Sequence, residues 1–156
     1  MCQDIPRDLD AYRSRAPAWL AEHAPRFSGE ARRGIGSERD LELGRAWQAH
    51  KYEAGYAGIT LPKEYGGAGA SELEKIVFGE EEMRYDLPTH YFGVSLGNPV
   101  PIMLRHAREE DRKRLGPPAL RGEHIWCQMF SEPGAGTGLA ALRLKAERSG
   151  GGWILN

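Results

Sequence analysis

Apolar positions recur every three or four residues over most of the chain and every second residue near its end. From Leu9 to His23, Leu9, Tyr12, Ala16, Trp19 and Leu20 follow that longer spacing, which predicts one helical face. Pro17 falls inside the run, lacks an N–H and crowds the preceding turn, so the helix is expected to start near Ala16 or to kink there. A second helix is predicted over Glu38–Ala54, with Leu41, Leu43, Ala46, Trp47 and Tyr52 as core candidates. Between Gly58 and Ala70, Pro62 with Gly66, Gly67 and Gly69 excludes regular helix and predicts an extended loop. Ser71 and Glu74 form a capping box opening a third helix, with Leu73, Ile76, Val77 and Met83 on one face and Asp86-Leu87-Pro88 at its end. Pro99–His106 reads as a fourth helix with proline in its first turn. A short fifth starts with Glu109, Glu110 and Asp111 and continues with Arg112, Lys113 and Arg114, the order a helix dipole favours. Gly116-Pro117-Pro118 is expected to disturb it.

After Glu123 the period changes. Ile125–Phe130 is a short apolar run of the kind found in buried strands. Leu142, Leu144 and Ala146 alternate with Arg143, Lys145 and Glu147, which predicts a half-exposed strand. Ser149-Gly150-Gly151-Gly152 reads as a turn and Trp153-Ile154-Leu155 as the returning strand. The expected fold is therefore mainly α, with a helical domain over 1–123 and the incomplete beginning of an antiparallel β domain over 124–156.

With 40% apolar and 28% charged residues the chain is globular in type, and a net charge of −1 makes no electrostatic case for nucleic acid or an anionic membrane. Arg105, Arg108, Arg112, Lys113 and Arg114 are interleaved with acids and read as a solvated helix face. The two cysteines, Cys2 and Cys127, are far apart, so neither a disulfide framework nor a zinc site is expected. No apolar stretch approaches the ~18 residues of a membrane span, and no apolar leader segment opens the chain. A soluble, cytoplasmic protein is the expectation.

Chemistry concentrates in Glu132-Pro133-Gly134-Ala135-Gly136-Thr137-Gly138. Three glycines bring backbone N–H groups close to a ligand, and the Ser131 and Thr137 hydroxyls add donors. No lysine follows them, which excludes a Walker loop, and no long helix follows, which excludes a Rossmann fingerprint. A ligand-facing loop and a plain tight turn both remain open. Tyr65-Gly66-Gly67-Ala68-Gly69 presents the same choice and is more simply a connection between helices. His23, His50, His90, His106 and His124 lack metal-ligand spacing and read as surface or packing residues. Glu80-Glu81-Glu82 reads as a solvated face, because consecutive helical residues diverge. Trp19, Trp47, Trp126 and Trp153 fit core positions.

Taken together, several stretches resemble the acyl-CoA dehydrogenase family. They are Arg45-Ala46-Trp47-Gln48, Tyr52-Glu53-Ala54-Gly55-Tyr56-Ala57-Gly58-Ile59 and Leu61-Pro62-Lys63-Glu64-Tyr65-Gly66-Gly67. Glu109-Glu110-Asp111-Arg112-Lys113 and Pro117-Pro118-Ala119-Leu120-Arg121-Gly122-Glu123 follow in the same order. Gln128-Met129-Phe130-Ser131-Glu132-Pro133-Gly134-Ala135-Gly136-Thr137 looks like the family signature at the entry to its β domain.

The resemblance implies an N-terminal helical domain, a middle β domain and a C-terminal four-helix domain, with FAD between the last two. It implies α,β-dehydrogenation of acyl-CoA thioesters, with a glutamate as base and electrons passing to an electron-transfer flavoprotein. By that resemblance a strand Gln128–Ser131 runs along the isoalloxazine ring, including Met129. Phe130 packs near the ring and the Ser131 hydroxyl bonds its polar edge. Gly136 and Thr137 lie where FAD and the CoA moiety approach. His90 to Gly97 forms the acyl channel wall, where Gly93, Ser95 and Gly97 leave room for a chain.

Three departures stand out. Thr137-Gly138 replaces the usual Ser-Asp, which predicts a looser loop. Pro17 interrupts a usually unbroken helix, and Leu115-Gly116 is less apolar than the usual pair before the two prolines. Family chains also continue beyond a Trp-x-x-Asn like Trp153–Asn156 into parts carrying the catalytic glutamate and most of the tetramer interface. The expectation is thus an incomplete enzyme without turnover that needs further chain or a complementing polypeptide. An acyl-CoA oxidase or flavin monooxygenase on the same scaffold is the alternative reaction, and a non-catalytic helical interaction module the alternative class.

Overall fold

The computed structural model describes residues 9–32, 34–136 and 138–156. It is mainly helical, with a two-stranded antiparallel sheet at its C-terminal end. α1 (Leu9–His23) is assigned as one helix through Pro17 and does not start near Ala16. Proline leaves the Arg13 carbonyl without its usual donor. Against that loss, Leu9, Tyr12, Ala16 and Leu20 are all buried, and apolar burial stabilises helices far more than one such bond. α1 packs on α3 (Glu72–Glu82).

α2 (Glu38–Glu53) begins at Ser37, whose hydroxyl accepts the Asp40 N–H, and its buried residues are Asp40, Gly44, Trp47, Gln48 and Lys51. Of the apolar candidates Leu41, Leu43, Ala46, Trp47 and Tyr52, only Trp47 is buried, and Ala46 is exposed. The core face of α2 is therefore a polar stripe at helical spacing, which apolar periodicity does not reveal. Space at Gly44 is tight: a Cβ there would meet the Pro88 carbonyl oxygen at 3.0 Å. Tyr12, Leu20, Trp47, Tyr56, Phe78 and Leu87 belong to the first core cluster, with Trp19 packed against it. His23 and His50 pack on Trp19, with ring centroids 4.8 and 5.3 Å from it.

The 58–70 segment is folded back on itself rather than extended. It contains one 3₁₀ turn at Lys63–Tyr65, and the Ala68 and Ala70 N–H groups bond the Gly58 and Ile59 carbonyls at 3.1 and 2.8 Å. Gly67 makes this closure possible, since a Cβ there would lie 2.2 Å from the Leu61 carbonyl oxygen. The capping box at Ser71 forms as expected, with Ser71 N–H and Oγ each 2.8 Å from Glu74 Oε2. α3 then departs from the reading: it ends at Glu82, not at Asp86-Leu87-Pro88. Phe78 is its buried residue, whereas Leu73, Ile76 and Met83 face outward.

α4 (Gly93–Gly97), α5 (Pro99–His106) and α6 (Glu109–Leu120) follow. α6 contains Pro117 and Pro118 instead of stopping at them. The turns after the prolines still close, because Arg121 and Glu123 N–H groups bond the Pro117 and Pro118 carbonyls at 3.0 Å. Tyr65, Val100, Leu104 and Ala119 form a second core cluster, against which Leu96 and Trp126 pack. β1 (Ala146–Ser149) and β2 (Gly152–Leu155) pair as a hairpin, Ala146 opposite Leu155 and Ser149 opposite Gly152. Both strands are exposed throughout, so Trp153, at 61% exposure, is not a core residue. No helix of the described residues is long and apolar enough to cross a membrane.

Asp40 anchors Arg32, Gly36 and the loop after α3. Its Oδ1 accepts from Arg32 Nε at 3.2 Å, and its Oδ2 accepts from Tyr91 Oη at 2.8 Å and Gly36 N–H at 3.1 Å. Arg32 also pairs with Asp86. Burial raises the Asp40 carboxyl, but the Gly36 and Tyr91 hydrogen bonds and the Arg32 charge outweigh it and hold the group below the usual range. A depressed folded pKa stabilises fully above the unfolded value near ~4, and that contribution is lost as pH falls through the folded value. Asp40→Asn should cost about 3 kcal/mol at neutral pH, the scale for breaking a buried pair. Urea denaturation should show the gap from wild type closing as the solution is acidified below about pH 4.

Candidate functional site

The end of α6 is fastened before the chain leaves the helical core. Gln48 Nε2 donates to the Leu120 carbonyl at 2.8 Å, and Arg45 donates to the Gly122 and Glu123 carbonyls at 2.7 Å each. Ser95, buried on α4, accepts the Trp126 N–H at 3.1 Å. Ser95 therefore points inward and holds the segment instead of opening a channel.

Residues 125–131 have no regular secondary structure. The buried strand expected at Ile125–Phe130 does not form: Met129 is 88% and Phe130 66% exposed, and Ser131 is exposed too. Among the described residues no neighbouring strand pairs with this segment, and a strand needs such a neighbour for its N–H and C=O groups. A groove of about 310 Å³ runs between Pro99, Ile102 and Met103 on α5 and Gln128, Met129 and Phe130 on the segment.

The glycine loop turns directly after it. Glu132 and Gly136 bridge, the Gly136 N–H donates to the Glu132 carbonyl at 2.8 Å, and Gly136 has φ +55°, where glycine is favoured. Thr137 lies outside the described residues. The Glu132 carboxylate accepts from the Arg143 N–H at 2.9 Å and the Leu144 N–H at 2.8 Å. The first residue of the loop is thus tied by its carboxylate to the main chain of residues 143 and 144. The same bonds take residues 143 and 144 out of the strand, which starts at Ala146.

Gly97 borders a second cavity, of about 570 Å³, which also reaches Lys51, Ile59, Phe78 and Glu82. Nothing lies within 4 Å of a Cβ built at Gly93 or Gly97. His90 is elsewhere, with Nδ1 3.2 Å from Arg32 Nη2 and its ring against Tyr91. The structure therefore gathers Gln128, Met129 and Phe130 on one groove and Gly97 on the next cavity, without His90. Glu82 is not simply solvated: its Oε1 accepts from Trp47 Nε1 at 2.8 Å and Lys51 Nζ at 2.9 Å. Sequence reasoning missed Arg45, Gln48, Lys51 and Glu132 as contact-makers. For Lys51 the signal available was its position four residues after Trp47, on the same helical face. Among the described residues no cluster of three metal-ligating side chains occurs.

An apolar exposed edge, a hydroxyl at Ser131 and main-chain groups without strand partners fit one side of a flavin ring system, which needs an apolar wall and a few fixed polar contacts. Residues 7–123 match the family described as acyl-CoA dehydrogenase, N-terminal domain. Acyl-CoA dehydrogenase IpdE1 of Mycobacterium tuberculosis is 32% identical over 158 residues, spanning 96% of this chain and 40% of that protein. A solved steroid ACAD, Tcur3481-Tcur3483, superposes with a TM-score of 0.71 at 31% identity, over 99% of this chain and 39% of that one. An acyl-CoA dehydrogenase from Bacillus anthracis, solved in complex with FAD, shares the fold with a TM-score of 0.65 at 21% identity, over 99% of this chain and 26% of that one. The chain belongs to the acyl-CoA dehydrogenase family and corresponds to its N-terminal portion. It spans about 40% of the length of the IpdE1 relative.

Ser95→Ala should release the Trp126 N–H at a cost of about 1 kcal/mol, typical of one hydrogen bond. Hydrogen exchange at the Trp126 amide should accelerate while that of α2 amides stays as in wild type. Unchanged protection at Trp126 would show that Ser95 does not hold the segment.

Proposed function

We propose that this chain supplies one wall of the FAD and acyl-CoA cleft of an enzyme that dehydrogenates acyl-CoA thioesters between Cα and Cβ. The observation that carries the reading is the exposed 128–131 segment beside an apolar groove, on a helical domain of this family. Bound FAD supplies the two-electron acceptor for the hydride leaving the acyl β-carbon. In this reading Met129 and Phe130 press on the flavin and exclude water. Ser131 and the main chain from Gln128 bond its polar edge. Gly136 and Thr137 border the approach of FAD and the CoA moiety, and Gly93 and Gly97 leave space for the acyl chain. We place the boundary between the helical domain and the β domain at residues 123 and 124.

None of the carboxylates described above faces the groove as a base for the α-proton, so we assign that role to the remaining length seen in the relatives. The acceptor in this proposal is an electron-transfer flavoprotein, and the assembly is a tetramer or a pair with a second polypeptide. The two-part name of the Tcur3481-Tcur3483 relative supports a complementing chain.

The test uses octanoyl-CoA and an artificial electron acceptor. The chain by itself should retain FAD weakly and show no turnover. Completed with polypeptide covering the rest of a relative's length, it should be yellow, bleach on acyl-CoA addition and pass electrons to the acceptor but not to oxygen. Turnover by the chain alone would refute the assignment of the base. Oxygen consumption by the completed enzyme would favour an oxidase. In the completed enzyme Phe130→Ala should weaken FAD binding roughly tenfold, the scale of one aromatic contact, as read by flavin fluorescence titration.

A further inference from the structure

The 570 Å³ cavity beside Gly97 has an unusual wall for a compartment next to an acyl channel. Phe78 and Ile59 give it apolar surface, but Lys51 and Glu82 line it as well. Lys51 is only 8% exposed and pairs with Glu82, which the fully buried Trp47 indole holds in place. An ammonium carries three N–H donors, and among the described residues Glu82 Oε1 accepts from one of them. A buried ammonium is costly unless its donors are met. An unbranched alkyl tail filling the cavity would displace water from Lys51 and offer nothing in return.

Charge narrows the acceptor. Lys51 faces Glu82 at 2.9 Å, and Lys75 faces Glu72 at 3.2 Å at the same cavity. Two cations and two carboxylates cancel, so the wall favours neither an anionic nor a cationic ligand. A neutral oxygen can take the spare Lys51 donors without disturbing either pair. Gly97 lines this space and has no side chain to occupy it.

We propose that the cavity receives the distal end of the acyl group, and that Lys51 selects a tail carrying a neutral oxygen function, a carbonyl or a hydroxyl, over a plain alkyl tail. The proposal rests on the acyl-site reading of Gly97 given above. Lys51 acts here as a specificity residue, remote from the reacting carbons.

The test titrates the ¹⁵N-labelled chain, completed with unlabelled polypeptide covering the rest of a relative's length, with the N-acetylcysteamine thioesters of octanoic acid and of 7-oxooctanoic acid. The Gly97 amide and the Trp47 indole N–H, which shares Glu82 with Lys51, are followed by NMR. Both thioesters should shift Gly97, while the oxo compound should bind roughly tenfold tighter, the effect of one hydrogen bond to a charged donor, and alone shift the Trp47 indole. Lys51→Met should remove the difference between the two affinities, weakening the oxo compound and relieving the penalty on the octanoyl tail, a result that a merely structural role would not produce. Lys51→Arg should keep the preference. Equal wild-type affinities with Gly97 shifted would overturn the tail preference and leave the acyl site standing. No Gly97 shift with either thioester would overturn the acyl site itself, and the tail preference with it. The wild-type comparison decides the matter even if Lys51→Met does not fold.

Discussion

Helix α2 organises the helical core through buried polar atoms, each tying a distant segment to one stripe of a single helix. Asp40 holds Arg32, Gly36 and Tyr91. Gln48 holds the end of α6. Trp47 and Lys51 together hold Glu82 at the end of α3. Such groups are tolerated inside only when their hydrogen-bonding capacity is met, so each partner's position is tightly constrained. An apolar stripe would bury as much surface but would accept several registers; paired polar atoms accept few.

That constraint reaches the functional wall. Gln48 and Arg45 fix the chain where α6 ends, Ser95 fixes Trp126, and beyond these points residues 128–131 stand away from the core. The helical layer thus works as a mount. It carries an apolar edge that it does not itself cover, next to a groove along α5 and a second cavity behind the α4–α5 corner. The exposed hairpin shows the same economy, with its strands paired to each other and neither face packed on the helices. Surfaces of this kind fit the family assignment, in which the matched region is about 40% of the IpdE1 relative's length.

How much of this was legible depends on whether the deciding interaction was local. The Ser71–Glu74 capping box, the bounds of α5, the start of α2 at Glu38 and the 149–152 turn all rest on neighbours within a few residues, and all were readable. The reading that starts α1 near Ala16, and the expected break in α6, failed because proline rules count one lost hydrogen bond, whereas the helices answer to burial along their whole length. On α3, Leu73, Ile76 and Met83 looked like core and Phe78 did not stand out, since periodicity finds a stripe without saying which side meets α1. The apolar 125–130 run was read as buried because apolar content and burial usually coincide; here nothing among the described residues covers it. Of the site residues, Gln128, Met129 and Phe130 share a groove, Gly97 borders the next cavity, and His90 is drawn away by Arg32.

By itself the sequence determined the helical class, the change to a hairpin near the C-terminus, the turn glycines and the family signature around Phe130 and Gly136. These follow from backbone preference and short-range pairing, which act over a few residues. Tertiary structure alone decided which face of each helix is inside, that α2 turns a polar stripe inward, and that Lys51 ends at the wall of a cavity beside Gly97. Those outcomes depend on partners such as Glu82, Leu120 and Tyr91, more than thirty residues away in the chain. A buried polar side chain can be recognised only once the atom that satisfies it has been brought alongside.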